Sequence, residues 1–145
     1  MVKKLRIFSS YKKYKINKLV IHKLVNVLTN DLDFIVESLP INFISSDQII
    51  TINKEYLNHN YSTDIITFNY SGSKKNLDGE IFISIDDAKV NAKAYNNSLK
   101  EELLRLVIHG ILHLLGYDDI KKSDFKKMKE LENSLLNKYK ITLLK

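Results

Sequence analysis

His109 and His113 stand four residues apart, and two carboxylates, Asp118 and Asp119, follow within six residues of the second histidine. Imidazole nitrogens and carboxylate oxygens are the zinc ligands open to a chain without thiolates, and this chain has no cysteine. Two helical nitrogens, one oxygen from Asp118 or Asp119 and an open fourth position describe a catalytic zinc site. An ion held in that way can polarise a phosphoryl oxygen and bring water towards a pKa of about 7. The residue after the first histidine limits the chemistry. Zinc proteases of the His-Glu-x-x-His type place their general base there, whereas this chain has Gly110, which carries no side chain.

For two imidazoles to reach one ion they must share a helix face, which the i, i+4 spacing secures. Leu106, Val107, Ile108, Ile111, Leu112, Leu114 and Leu115 surround them. A helix apolar on every side is expected to be buried. Ser98-Leu99-Lys100-Glu101 has the form of a capping box that starts it. Gly116 ends it, as glycine does beyond a helix C-terminus, so that the chain turns back and brings the carboxylates towards the histidines.

The run from His109 to Asp119 resembles the signature of the YbeY family, bacterial endoribonucleases that act as rRNA maturation factors. That signature reads His-Gly-x-Leu-His-Leu-x-Gly-Tyr-Asp-His, and ten of its eleven positions fit here. The departure is Asp119, which replaces a third histidine. The resemblance implies one zinc ion per chain, held by His109, His113 and Asp119. A carboxylate in place of an imidazole lowers the charge of the site and opens it to other divalent metals. Further upstream, Asn53-Lys54-Glu55-Tyr56 and Ser62-Thr63-Asp64-Ile65-Ile66-Thr67-Phe68 resemble the family's Asn-x-x-Tyr-Arg and Pro-Thr-Asp-Val-Leu-Ser-Phe segments. Leu57 stands where the family has its arginine, leaving His59 or a lysine to compensate. Ser62 stands in place of the proline. Gly79-Glu80-Ile81 resembles a Gly-Asp-Ile strand, which in a zincin-like layout borders the metal cleft and could carry an extended substrate. The resemblance spans roughly residues 50 to 135.

The chain as a whole allows this chemistry. Its 145 residues are enough for a real core, and the expectation is one domain over 1–145. A hydrophobic content of 44% suits a soluble globular protein. No stretch approaches the roughly 20 apolar residues of a membrane span, and the N-terminus lacks the apolar run of a signal peptide. The absence of cysteine suits a reducing, cytoplasmic location. A net charge of +6 favours polyanionic partners such as RNA. Only Arg6 and Arg105 among the 23 basic residues are arginines, so lysine would carry most phosphate contacts.

The remaining elements follow from periodicity and punctuation. Residues 4–9 read as a strand and 16–29 as an amphipathic helix, with Ile16, Leu19, Val20, Leu24, Val27 and Leu28 on its apolar side. Pro40 reads as a break before a short strand at Ile41–Ile44. A capping box from Ser45 to Gln48 starts a second helix. Strands are expected at 64–70 and 79–85, separated by a turn at 71–76. Asp86 and Asp87 cap a helix running to about Tyr95. A last helix over 123–138 would turn Phe125, Met128, Leu131, Leu135 and Leu136 inward.

Together these give an α+β fold: a four-stranded mixed sheet, helices mainly on one side, and a zincin-like metal helix near the centre. The resemblance implies a metal-dependent endoribonuclease for single-stranded RNA, acting in 16S rRNA 3′-end processing and ribosome quality control at the small ribosomal subunit. Two other classes stay open: a ribosome-associated RNA-binding protein with a structural metal, and a metal-dependent hydrolase of another substrate.

Overall fold

In the computed structural model, residues 4–71, 73–117 and 121–143 are described. Strand β1 (Leu5–Ser9) leads to helix α1 (Lys18–Leu32), strand β2 (Ile35–Ile44) and helix α2 (Ser46–Leu57). Strands β3 (Ile65–Asn69) and β4 (Asn76–Ser84) follow, then helices α3 (Ile85–Ala94), α4 (Leu99–Leu114) and α5 (Lys122–Leu143). The sheet order is β1-β2-β4-β3. β1, β2 and β4 run parallel, and β3 lies antiparallel to β4 at the edge. The mixed four-stranded α+β architecture is therefore the expected one.

Alternation along the strands builds the main core. Leu5, Ile7, Leu39, Ile41, Phe43, Ile81 and Ile83 are buried on one face of the sheet, together with residues of α1, α4 and α5. Ile44, Ile49 and Ile66 form a smaller cluster involving α2. Adjacent residues of β3 thus serve opposite faces: Ile65 packs on the main core and Ile66 on the smaller one.

Several boundaries differ from the sequence reading. β2 continues through Pro40, although proline lacks the N–H an interior strand uses. Its pairing with β4 is irregular between Val36 and Ser38, before the proline, and is regular again from Ser38 to Ile44. α1 begins after Asn17, whose side chain accepts the Val20 N–H. Its buried stripe is Ile21, Leu24, Val25 and Leu28, and Leu19 is exposed. α3 is capped by Ser84, whose hydroxyl accepts the Asp87 N–H, not by the two aspartates. Phe125 of α5 faces solvent, while Met128, Leu135, Leu136 and Tyr139 are buried.

Candidate active site

Helix α4 opens on the expected cap, Ser98 accepting the Glu101 N–H at 3.1 Å. Ten of its residues from Glu102 to Leu114 are buried. Its approach to the sheet depends on Gly110. A Cβ there would lie 3.0 Å from Cδ1 of both Ile65 and Ile81. The helix rests against β3 and β4 at this point, with no room for the glutamate a zinc protease would need.

The C-terminus of α4 is a Schellman turn. The Gly116 N–H donates to the His113 carbonyl and the Tyr117 N–H to the Leu112 carbonyl, both at 3.1 Å. Gly116 adopts φ +101°, a conformation that L side chains rarely take. The turn swings the Tyr117 carbonyl over the helix end, where it accepts the His113 Nδ1–H at 3.1 Å. A further helix-end carbonyl, that of Leu114, accepts from the Asn69 side chain at 3.2 Å and ties the end of β3 to α4.

His109 is held from the other side. Its Nδ1 lies 2.5 Å from Oε1 of Glu132, a carboxylate with no solvent exposure on α5. The two imidazole centroids are 6.1 Å apart. Each ring therefore gives its Nδ1 proton to an acceptor of the protein, which leaves Nε2 as the lone-pair nitrogen. This is how metal-ligating histidines are oriented, so the pair fits a zinc-type ion. Asp119, the expected third ligand, and Asp118 lie outside the described residues. Among the described residues no three His, Cys, Asp or Glu side chains gather as a metal-holding group.

Behind the pair runs a buried ionic network. Arg105, one turn before His109, donates to Glu132 Oε2 at 2.9 Å and to both oxygens of Glu102 at 2.9 and 2.5 Å. Glu102 is fully buried and also accepts from Asn91 at 3.4 Å. Asn91 in turn donates to Asp64 at 3.0 Å. Burial alone would raise the Glu132 carboxyl, but the His109 hydrogen bond and the Arg105 charge outweigh it and hold the group well below the usual carboxylate range. Sequence reasoning missed this network, because charged residues on helices are ordinarily solvated. The available signal was position: Glu132 falls on the stripe Met128, Leu135, Leu136, Tyr139, and Glu102 and Arg105 sit in a helix apolar all round.

The imidazoles open onto a cleft of about 390 Å³. One wall is the edge strand, Ile65 to Thr67; the other is Asn53 and Leu57 of α2 with His59, Tyr61, Thr63 and Asp64 of the loop that follows. The strand bordering the cleft is thus β3. Strand β4, to which the zincin-like comparison assigned this role, lies inside the sheet between β2 and β3. Leu57, at the position of the family's arginine, does line the cleft. The Asp64 side chain accepts from Asn91.

The family model described as Endoribonuclease YbeY matches residues 6–140. The chain is 38% identical over 135 residues to the endoribonuclease YbeY of Chlorobium limicola, covering 93% of this chain and 92% of that protein. It is 49% identical over 96 residues to that of Azobacteroides pseudotrichonymphae, covering 66% and 68% of the two chains. The solution structure of TM1509 from Thermotoga maritima superposes with a TM-score of 0.63 at 26% identity, covering 94% of this chain and 91% of that one. With a family model matching residues 6–140 and a relative 38% identical over 93% of the chain, the chain belongs to the endoribonuclease YbeY family.

Proposed function

We infer that this protein is a metal-dependent endoribonuclease that cuts single-stranded RNA, working in the cytoplasm on rRNA at the small ribosomal subunit. Its role would be 16S rRNA 3′-end maturation and ribosome quality control. The observation that carries the reading is the pair of oriented imidazoles facing a cleft, in a chain of this family. His109 and His113 would hold a zinc ion with Asp119 as third ligand, and the carboxylate would let other divalent ions compete. When bound, the ion supplies Lewis-acid polarisation of a phosphoryl oxygen and activation of water.

The protein's own groups do the rest. Glu132 and the Tyr117 carbonyl keep the Nδ1 protons in place, so both Nε2 atoms stay free as ligands. Gly110 leaves no base of the protease kind beside His109. The edge of β3 offers a wall along which an extended strand can lie. A net charge of +6 draws a polyanion to the surface. Among the described residues no helix is long and apolar enough to cross a membrane.

The test is metal content and RNA cleavage of the purified protein beside His113→Ala and Asp119→Ala. One zinc per chain, lost in both variants together with cleavage of single-stranded RNA, is the expected result. Full cleavage by a folded, metal-free His113→Ala protein would overturn the reading. RNA binding without turnover in the zinc-loaded wild type would favour the structural-metal alternative.

A further inference from the structure

The cleft has an unusual inventory for an RNA enzyme. Among its described lining residues there is no lysine or arginine, although the chain carries 23 such residues. A phosphodiester entering it needs a hydrogen-bond donor from the wall. With His109 and His113 committed through Nδ1 to Glu132 and Tyr117, the remaining imidazole is His59.

His59 is held in a built loop. Asn58 closes α2 in the left-handed conformation, and the His59 N–H donates to the Asn53 carbonyl at 3.1 Å. The Asn53 side chain, only 2% exposed, donates to the Tyr61 carbonyl at 3.0 Å. The next residue, Ser62, donates to Asp87 at 2.5 Å. One buried asparagine thus fixes both ends of the segment that carries His59 and Tyr61. Within it the two rings stack, with centroids 5.1 Å apart and planes 16° apart. The Tyr61 hydroxyl lies 3.0 Å from His59 Nδ1. The phenol can donate to Nδ1, and in that tautomer the ring proton resides on Nε2 and the imidazole presents an N–H donor. Tyr61 is 56% exposed, so its outer face is open to a base. Stacking of this kind is sequence-tolerant, since every base has a π face.

We propose that His59 and Tyr61 form a nucleotide-binding pair in the cleft, His59 Nε2–H donating to a phosphate oxygen of single-stranded RNA and Tyr61 stacking on a neighbouring base. The inference rests on the endoribonuclease reading and names how the same cleft grips its substrate where a guanidinium is missing.

The experiment is steady-state cleavage of a labelled single-stranded RNA oligonucleotide by zinc-loaded wild type, His59→Ala, Tyr61→Ala and Leu57→Arg/His59→Ala, with zinc content and thermal melting of each. His22→Ala, on the remote helix α1, is the control. His59→Ala and Tyr61→Ala are each expected to raise KM roughly ten- to thirtyfold, with kcat and zinc content little changed, as the loss of one substrate contact predicts. Recovery of KM on adding Leu57→Arg supports a shared phosphate position. KM values within about twofold of an active wild type in both single variants would overturn the pair alone. Loss of zinc in His59→Ala would also overturn it, by making His59 a ligand. A wild type that cleaves no RNA would overturn the endoribonuclease reading and the pair with it.

Discussion

Glu132 Oε1 lies 2.5 Å from Nδ1 of His109, across a helix–helix interface and 23 residues along the chain. The carboxylate has no exposure to water, and Arg105 shares it. Replacing Glu132 by Gln keeps the shape and removes the charge. We expect metal affinity to fall by about ten- to a hundredfold, read by competition against a chelator. Glu132→Ala should cost more in folding, about 3–5 kcal/mol, because Arg105 then remains buried without one of its partners. Urea denaturation of both variants separates the two effects.

The close approach at Gly110 gives a second prediction. Alanine usually favours a helix over glycine by about 1 kcal/mol. Here the added methyl would meet Ile65 and Ile81 at 3.0 Å. Overpacking costs about 1–3 kcal/mol, so Gly110→Ala should lower stability despite the better propensity. Shortening the partner in Gly110→Ala/Ile81→Val should return part of the loss. Additive losses in the double variant would contradict this account.

At Gly116 the cause is conformational. A side chain at φ +101° is strained, at a cost of about 1–3 kcal/mol. Gly116→Ala should therefore lower the melting temperature. It should also weaken metal binding, because the turn sets the Tyr117 carbonyl against His113. Unchanged metal affinity in a destabilised Gly116→Ala protein would show that His113 is oriented without that carbonyl.

Acid stability has a group far from the histidines. Asp86 accepts the Ser46 N–H at 2.8 Å and the Tyr11 hydroxyl at 2.6 Å, joining α3, α2 and the segment after β1. These bonds, the Ser46 N–H foremost, lower its pKa. A depressed carboxylate contributes stability that is complete above its unfolded value, about 3.9. That contribution is lost as pH falls from there through the lower, folded value. Asp86→Asn should flatten this part of the acid limb, measured as urea midpoints between about pH 6 and pH 2. An unchanged slope below about pH 4 would assign the acid loss to other groups.

What the sequence showed depended on the range of the interaction. The paired histidines, the Ser98 cap and the Gly116 turn are local, set by residues within one or two turns, and the structure has each where spacing placed it. The capping box at Ser45 and Gln48 is likewise present. Sheet order is a non-local property. Nothing in the run from Gly79 to Ile85 says that it is flanked on both sides, so the resemblance points to β4 at the cleft, where the structure has β3. The Glu132 network is non-local too, pairing charges from α4 and α5. Leu19 and Phe125 erred for another reason: each lies at the margin of an apolar stripe, where periodicity cannot say which neighbour is covered.

The order in which a chain is made gives the α4–α5 contact a further meaning. Translation delivers His109 and His113 before Glu132, at a pace of about 5–20 residues per second. A nascent chain can thus form α4, with both imidazoles on one face, while the carboxylate that orients His109 is still to come. Docking of α5 supplies that carboxylate and neutralises part of the Arg105 charge in the same event. The orientation of His109 is thereby tied to late folding, and an incomplete chain carries both histidines with only His113 held through its Nδ1.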